Sequence, residues 1–321
     1  MHIVIPDDYQ DAVRTLDCFS QLAGHTVTIY SDSVTDIDAL VERFKDADAL
    51  VLIRERTAIT EALLARLPKL KLISQTGRGI PHIDVPACTR HGVPVLVGGG
   101  SPYSTAELTW GLVLAATRHI PQEVENLKAG RWQRTFGVGL HGRTLGIFGY
   151  GSIGSIVANY GRAFGMNVVA WGRSGSLERA QADGYGVVSS QRALFEQADV
   201  LCLHIKLNAE TRGIVTLDDL QAMKPTALIV NTSRADLIVP GALVAALQAG
   251  RPGYAAVDVF ESEPVIDHPL LHLPNVVATP HLGYVEKDSY ETYFGAAFEQ
   301  LSNFLSGKPA SIVNPEAVTR P

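Results

Sequence analysis

Gly149-x-Gly151-x-x-Gly154 lies in "TLGIFGYGSIGSIVANYGRAFG" (144–165), after an apolar strand pattern and at the opening of a helix. The first glycine permits a tight turn, the second lets backbone approach a pyrophosphate, and the third lets helix pack on strand. Unpaired N–H groups and the dipole at the helix start favour an anion, so the chemistry on offer is phosphate binding. The three glycines, with Ser152 and Ile153 between them, are candidate contacts to a dinucleotide cofactor. A glycine pattern alone is weak evidence; the strand before it, the helix after it and a second strand, "NVVAW" (167–171), make it specific.

Past the second strand of such a unit an acidic residue usually grips a ribose hydroxyl. Here Gly172, Arg173 and Ser174 stand instead. Gly172 offers no side-chain acceptor to a 2′-hydroxyl and no charge to repel a 2′-phosphate. Arg173 and Ser174 supply a cation and a hydroxyl for that phosphate. The reading favours NADP(H) and leaves NAD(H) open, the competing view being a solvent-exposed loop arginine.

These groups need a scaffold that lines up strand ends. "HIVI" (2–5), "HTVTIY" (25–30), "ALVLI" (49–53), "LKLISQ" (70–75) and "VPVLV" (93–97) read as strands, with helical patterns such as 36–46 and 60–68 between them. A Gly/Pro/Ser break at 98–104 precedes a long apolar helix over 105–120, expected to end at Pro121. Strand patterns restart at 144–149, 167–171, 186–189, 200–205, 227–233, 254–260 and 276–280, and a last helix covers about 288–306. This alternation predicts an α/β protein with parallel sheets and helices on both faces.

Three later segments, "NTSRADLIV" (231–239), "AAVDVFESEP" (255–264) and "ATPHLG" (278–283), carry a wider likeness. With "LGIFGYGSIG" they closely resemble the D-isomer-specific 2-hydroxyacid dehydrogenases, which include D-lactate, glycerate/hydroxypyruvate, phosphoglycerate and formate dehydrogenases. The resemblance covers nearly the whole chain and implies two Rossmann-like domains. Residues 1–100 plus 283–321 would form a flavodoxin-like substrate domain, and 101–282 a doubly wound nucleotide-binding domain, with the active site in the cleft between them. It implies an NAD(P)-dependent oxidoreductase that interconverts 2-oxo acids and D-2-hydroxy acids by hydride transfer. The family's catalytic arginine, acid and histidine fall on Arg234, Glu263 and His281, with Glu261 a nearby decoy. Asp258 matches a position that contacts the nicotinamide carboxamide. Thr232, Ser233 and His204 fall at further cofactor positions, and Lys206 stands where relatives often have proline.

These residue types suit the implied reaction. Hydride transfer to a 2-oxo acid leaves an alkoxide that needs a proton, and a histidine titrates near neutrality. A carboxylate beside His281 would hold its ring and favour the charged form. Arg234 would bind the substrate carboxylate and polarise its carbonyl through charge-assisted hydrogen bonds. "TGRGIPHID" (76–84) resembles the family loop whose backbone N–H groups cradle the substrate carboxylate, which puts Arg78 and Gly79 at those amides. Arg78 replaces a small apolar residue of many relatives; turned inward it would favour a second anionic group on the substrate, turned outward it would not. Arg54 in "LIRERT" matches a substrate loop of some relatives, and Ser101 and Tyr103 are further candidates at the hinge.

Composition narrows the classes. With 46% hydrophobic residues, 321 residues can bury large cores, and a net charge of −6 without a long basic run argues against a nucleic-acid partner. Cys18, Cys88 and Cys202 match no metal or redox spacing, and His268 and His272 have Pro269 between them and no third ligand, so no metal is expected. No signal-peptide pattern opens the chain and no run approaches the ~18 apolar residues of a membrane span. The expectation is a cytoplasmic protein without a membrane contact, a homodimer through its nucleotide-binding domain, acting on a small 2-oxo or 2-hydroxy acid. The rival is a dinucleotide-sensing regulator on the same scaffold; retention of Arg234, Glu263 and His281 together argues against it. Formate oxidation needs no proton donor, so the Glu–His pair argues against that activity as well.

Overall fold

The computed structural model describes residues 1–308 and 310–318. The chain falls into two compact units, one formed by Met1–Ser101 with Glu286–Pro321 and the other by Pro102–Val285.

In the first unit β1 (His2–Ile5), β2 (Thr26–Ile29), β3 (Ala49–Leu52), β4 (Leu72–Gln75) and β5 (Val95–Val97) make a parallel sheet in the order β2-β1-β3-β4-β5. β3 and β4 are buried on both faces, which is why they read as unbroken apolar or small-polar runs. The helices α1 (Ile37–Phe44), α2 (Glu61–Leu64) and α3 (Val85–Arg90) each begin at a side chain, Asp36, Thr60 and Asp84, that accepts an otherwise unpaired helix N–H. Leu40, Phe44, Leu63 and Cys88 pack with Leu50, Leu52 and Ile73 in the core of one face. The strand order reverses between β1 and β3, so the loops after these strands mark this unit's ligand edge.

The second unit opens with α4 (Tyr103–Thr117) and α5 (Ile120–Lys128). The single helix expected over 105–120 therefore stops early. Arg118 ends it and His119 takes a left-handed φ of 53°. Pro121 belongs to the first turn of α5, where its missing N–H costs nothing, so it starts a helix rather than ending one. There follow β6 (Thr144–Phe148), α6 (Ser152–Ala163), β7 (Asn167–Trp171), α7 (Ser174–Ala182), β8 (Gly186–Val187), α8 (Gln191–Gln197), β9 (Val200–Leu203), α9 (Leu217–Ala222), β10 (Leu228–Asn231), α10 (Ala242–Gln248), β11 (Tyr254–Val257) and β12 (Val276–Ala278). The strands form one parallel sheet in the order β12-β11-β10-β9-β6-β7-β8. Alternate residues of each strand serve opposite cores: Leu228 and Val230 meet α4 and α6 residues, while Ile229 meets α8, α9 and α10 residues. The strand order reverses between β6 and β9, where the glycine loop begins. The last helix, α11 (Lys287–Leu305), is capped by Glu286 and buries Phe294, Phe298 and Leu301 in the first unit.

Candidate active site and cofactor cavity

β6 delivers Phe148 to the sheet edge, and the chain turns at Gly149 with φ of 100°. A Cβ on Gly149 would lie 2.8 Å from the His204 carbonyl, and one on Gly154 would lie 2.3 Å from the Gly149 carbonyl oxygen. Only glycine fits either place. A Cβ on Gly151, the residue before α6, would meet nothing within 4 Å, so this backbone is open to a ligand. The loop lines a cavity of about 850 Å³, a size that suits a nucleotide, with Ser152, Ile153 and Arg173 among its walls. His204 lines it too; its Nε2 is buried without a hydrogen-bond partner, and burial pushes the imidazole down to about 4. A cradle cleared of side chains and an orphaned ring nitrogen both fit a dinucleotide.

Ser174 is exposed at the first position of α7 and is absent from the cavity wall, whereas Ser176 and Arg179 line it. The Tyr150 N–H donates to Ser176 Oγ (2.9 Å) and Arg179 Nη2 donates to the Tyr150 carbonyl (3.1 Å). Sequence reasoning missed both. The signal was the spacing of three from Arg173 to Ser176 to Arg179, which sets neighbours on one helical face. Thr232 and Ser233 are turned to the fold rather than to that wall: Thr232 Oγ1 bonds Thr109 Oγ1 (2.7 Å) and Ser233 Oγ donates to the Ile205 carbonyl (2.9 Å).

The catalytic candidates stand at the ends of three neighbouring strands. Arg234 follows β10, Asp258 follows β11 with Glu263 five residues on, and His281 follows β12. Arg234 Nη1 donates to the Ser233 carbonyl (2.7 Å), which draws the guanidinium back along its own chain. His281 Nδ1 and Glu263 Oε2 are 2.6 Å apart, with side chains 23% and 32% exposed. The carboxylate makes Nδ1 the donor, so Nε2 is left for exchange with another molecule. Burial alone would raise the Glu263 carboxyl, but the His281 hydrogen bond and charge, the Phe260 N–H and Arg234 hold it below its ordinary value. Glu261 instead pairs with His268 (3.1 Å), so the decoy is engaged elsewhere.

His281 has a left-handed φ of 53° and sits edge-on to Tyr284. Asp258 secures that turn. Its Oδ1 accepts from Thr279 Oγ1 (2.6 Å) and the Leu282 N–H (2.7 Å), and its Oδ2 accepts from the Gly283 N–H (2.8 Å). Complete burial pushes the Asp258 carboxyl up against the pull of these donors.

In the first unit Arg54, with φ of 54°, lays its guanidinium 5.2 Å from the Tyr293 ring centroid and against Gly77 of the 76–79 turn. A Cβ on Gly79 would fall 2.6 Å from Glu55 Oε1. Arg54 and the glycine turn are thus brought together, Arg78 is exposed, and Ser101 is half-buried. Among the described residues no group of histidine, cysteine, aspartate or glutamate is placed to hold a metal ion, and no helix is long and apolar enough to cross a membrane.

The family model described as "D-isomer specific 2-hydroxyacid dehydrogenase, NAD binding domain" matches residues 110–283. The chain belongs to this dehydrogenase family. The D-3-phosphoglycerate dehydrogenase of Methanocaldococcus jannaschii is 40% identical over 281 residues, which are 86% of this chain and 53% of that protein. The glyoxylate reductase of Aeropyrum pernix is 38% identical over 294 residues, covering 88% of this chain and 87% of that protein. The solved structure of a phosphoglycerate oxidoreductase from Vibrio cholerae o395 superposes with a TM-score of 0.93 at 55% identity, over 96% of this chain and 99% of that one. The chain spans about half the length of the curated phosphoglycerate dehydrogenases it matches. Within the D-2-hydroxyacid dehydrogenase region, one strand edge thus presents the glycine cavity and the Arg234, Glu263 and His281 side chains.

Proposed function

We propose that this protein is an NAD(P)H-dependent reductase of a small 2-oxo acid to the D-2-hydroxy acid, working reversibly. The observation that carries the reading is the His281–Glu263 pair, 2.6 Å apart, on the sheet edge that also bears the glycine cavity. Gly149, Gly151, Ser152, Ile153 and Gly154 hold the cofactor pyrophosphate, His204 takes a polar contact, and Thr232, Ser233 and Asp258 lie toward its nicotinamide end. When bound, the nicotinamide supplies the hydride in reduction and accepts it in oxidation. Arg234 receives the substrate carboxylate and draws electron density from the carbonyl carbon. His281 Nε2 gives its proton to the carbonyl oxygen as that carbon gains hydride, and takes one back in oxidation. Glu263 orients the ring and offsets the imidazolium charge. On the substrate side Arg54, Arg78, Gly79 and Ser101 are the candidate contacts, and Arg54, which lies against the glycine turn, favours a substrate with a second anionic group, as the names of the phosphoglycerate relatives suggest.

Arg173, with no acid at Gly172, supports NADP(H) over NAD(H) within a family named for NAD binding. Exposed Trp132 (73%) and Phe136 (97%), next to α5 with its exposed Leu127, support a homodimer through the second unit. Three free cysteines support a reducing, cytoplasmic location. The dehydrogenase names of the relatives give the regulatory alternative no support. The test is loss of reduced-cofactor absorbance with glyoxylate, hydroxypyruvate, its 3-phosphate and phenylpyruvate. His281→Gln should abolish turnover and keep cofactor binding; near-normal turnover in that variant, or silence of the native protein across the panel, defeats the reading.

A further inference from the structure

Cations gather on the walls of the cofactor cavity that α7 and the loop after β9 supply. Arg173, Arg179 and Lys206 line it, against the single carboxylate of Glu210. Arg179 is anchored: Nη2 donates to the Tyr150 carbonyl (3.1 Å), and Nη1 lies 3.9 Å from where a Cβ on Gly175 would stand. Its guanidinium therefore spans from the Tyr150 carbonyl to the first turn of α7. Ser176 Oγ accepts the Tyr150 N–H and so keeps its own proton to donate. The place of the usual acid is vacant at Gly172, and the nearest atom to a Cβ there is Ser176 Oγ at 3.4 Å. Lys206 reaches the same cavity from the loop after β9, on the opposite side of β6 from β7.

We propose that Arg179, Ser176 and Lys206 join Arg173 in a seat for a phosphate monoester, filled by the 2′-phosphate on the adenosine ribose. Arg179 is its fixed member, because the Tyr150 carbonyl holds one edge of the guanidinium and leaves the other to face an anion. Lys206 adds a mobile point charge. The proposal rests on the NADP(H) reading and names the residues that enforce it beyond Arg173.

Isothermal titration of the full chain with 2′,5′-ADP and 5′-AMP separates the two ideas without turnover. The native protein should bind 2′,5′-ADP more tightly than 5′-AMP by about tenfold to a hundredfold, the worth of a few charge-assisted hydrogen bonds. Arg179→Gln, which removes the charge, should lose about tenfold of that preference and leave 5′-AMP affinity within about twofold. Lys206→Ala should lose a smaller part, and the loss should shrink at high salt. If native discrimination survives both substitutions, or both ligands weaken equally, the seat is wrong while the NADP(H) reading stands. If the native protein does not discriminate at all, the NADP(H) reading itself fails.

Discussion

Asp258→Asn tests how the proposed proton donor is held. The native carboxylate is fully buried and receives Thr279 Oγ1, the Leu282 N–H and the Gly283 N–H. An amide keeps one oxygen. In one orientation its nitrogen faces the Gly283 N–H, and in the other it faces the Leu282 N–H, so a buried backbone donor is orphaned either way. Such an orphan costs about 1–3 kcal/mol. For a unit of this size the melting temperature should fall by roughly 2–10 °C. The functional loss should be larger than that suggests. The orphaned donor belongs to the turn that carries His281 at its left-handed φ, and a displacement of about 1 Å at a reacting group costs about a hundredfold in kcat. Thr279→Val, which removes one donor and leaves both backbone bonds, should cost less than about tenfold. Steady-state kinetics, cofactor titration and thermal melts on the same preparations decide it. If Asp258→Asn melts lower but keeps kcat within about threefold, the clamp does not position His281. If cofactor affinity collapses and kcat at saturation is unchanged, Asp258 acts on the cofactor instead.

Glu263→Gln should lower kcat by about tenfold to a hundredfold and flatten the acid limb of stability. The Glu263 carboxyl is held below its ordinary value, so its contribution is present above about 4.5 and is lost as pH falls through the depressed folded value. A denaturant midpoint that falls equally in both proteins below that pH would refute this. His204, held at about 4 against 6.5 when free, works in the opposite sense: the unfolded chain binds the proton first. Acidification from about 6.5 to 4 should therefore remove up to about 3 kcal/mol, and His204→Gln should abolish that part of the slope in urea titrations. Gly154→Ala should destabilise the fold by about 1–3 kcal/mol, because its Cβ would strike the Gly149 carbonyl oxygen. Gly151→Ala, with open space around its Cβ, should leave the melt unchanged and weaken cofactor binding; equal effects of the two substitutions on both measurements would contradict the assignment.

The strands were legible because each is an apolar run broken by glycine, proline or polar residues, and the glycine loop because its spacing is tied to a strand and a helix start. The helix ending at Thr117 was not, since Pro121 is equally compatible with stopping one helix and starting the next. In the linear pattern Ser174 offers a hydroxyl to a 2′-phosphate because it adjoins Arg173, but α7 begins there and leaves it exposed, while Ser176 and Arg179 line the cavity. Asp258 could be matched to a family position, yet nothing in its neighbours reveals that Thr279, Leu282 and Gly283 converge on its two oxygens. Such contacts depend on β11 and β12 lying side by side, which a linear pattern does not encode.

The order of strands along the second sheet has a consequence for how this protein can change. The groups proposed to select the cofactor hang from β6, β7 and β9, whereas Arg234, Asp258, Glu263 and His281 hang from β10, β11 and β12. On the proposed function, nucleotide choice and proton chemistry occupy separate stretches of one edge, joined through the Ser233 hydroxyl on the Ile205 carbonyl. Substitutions in the two stretches should combine additively in a double-mutant cycle. A lineage on this scaffold can then exchange one nicotinamide pool for another while its acid–base machinery stays as it is.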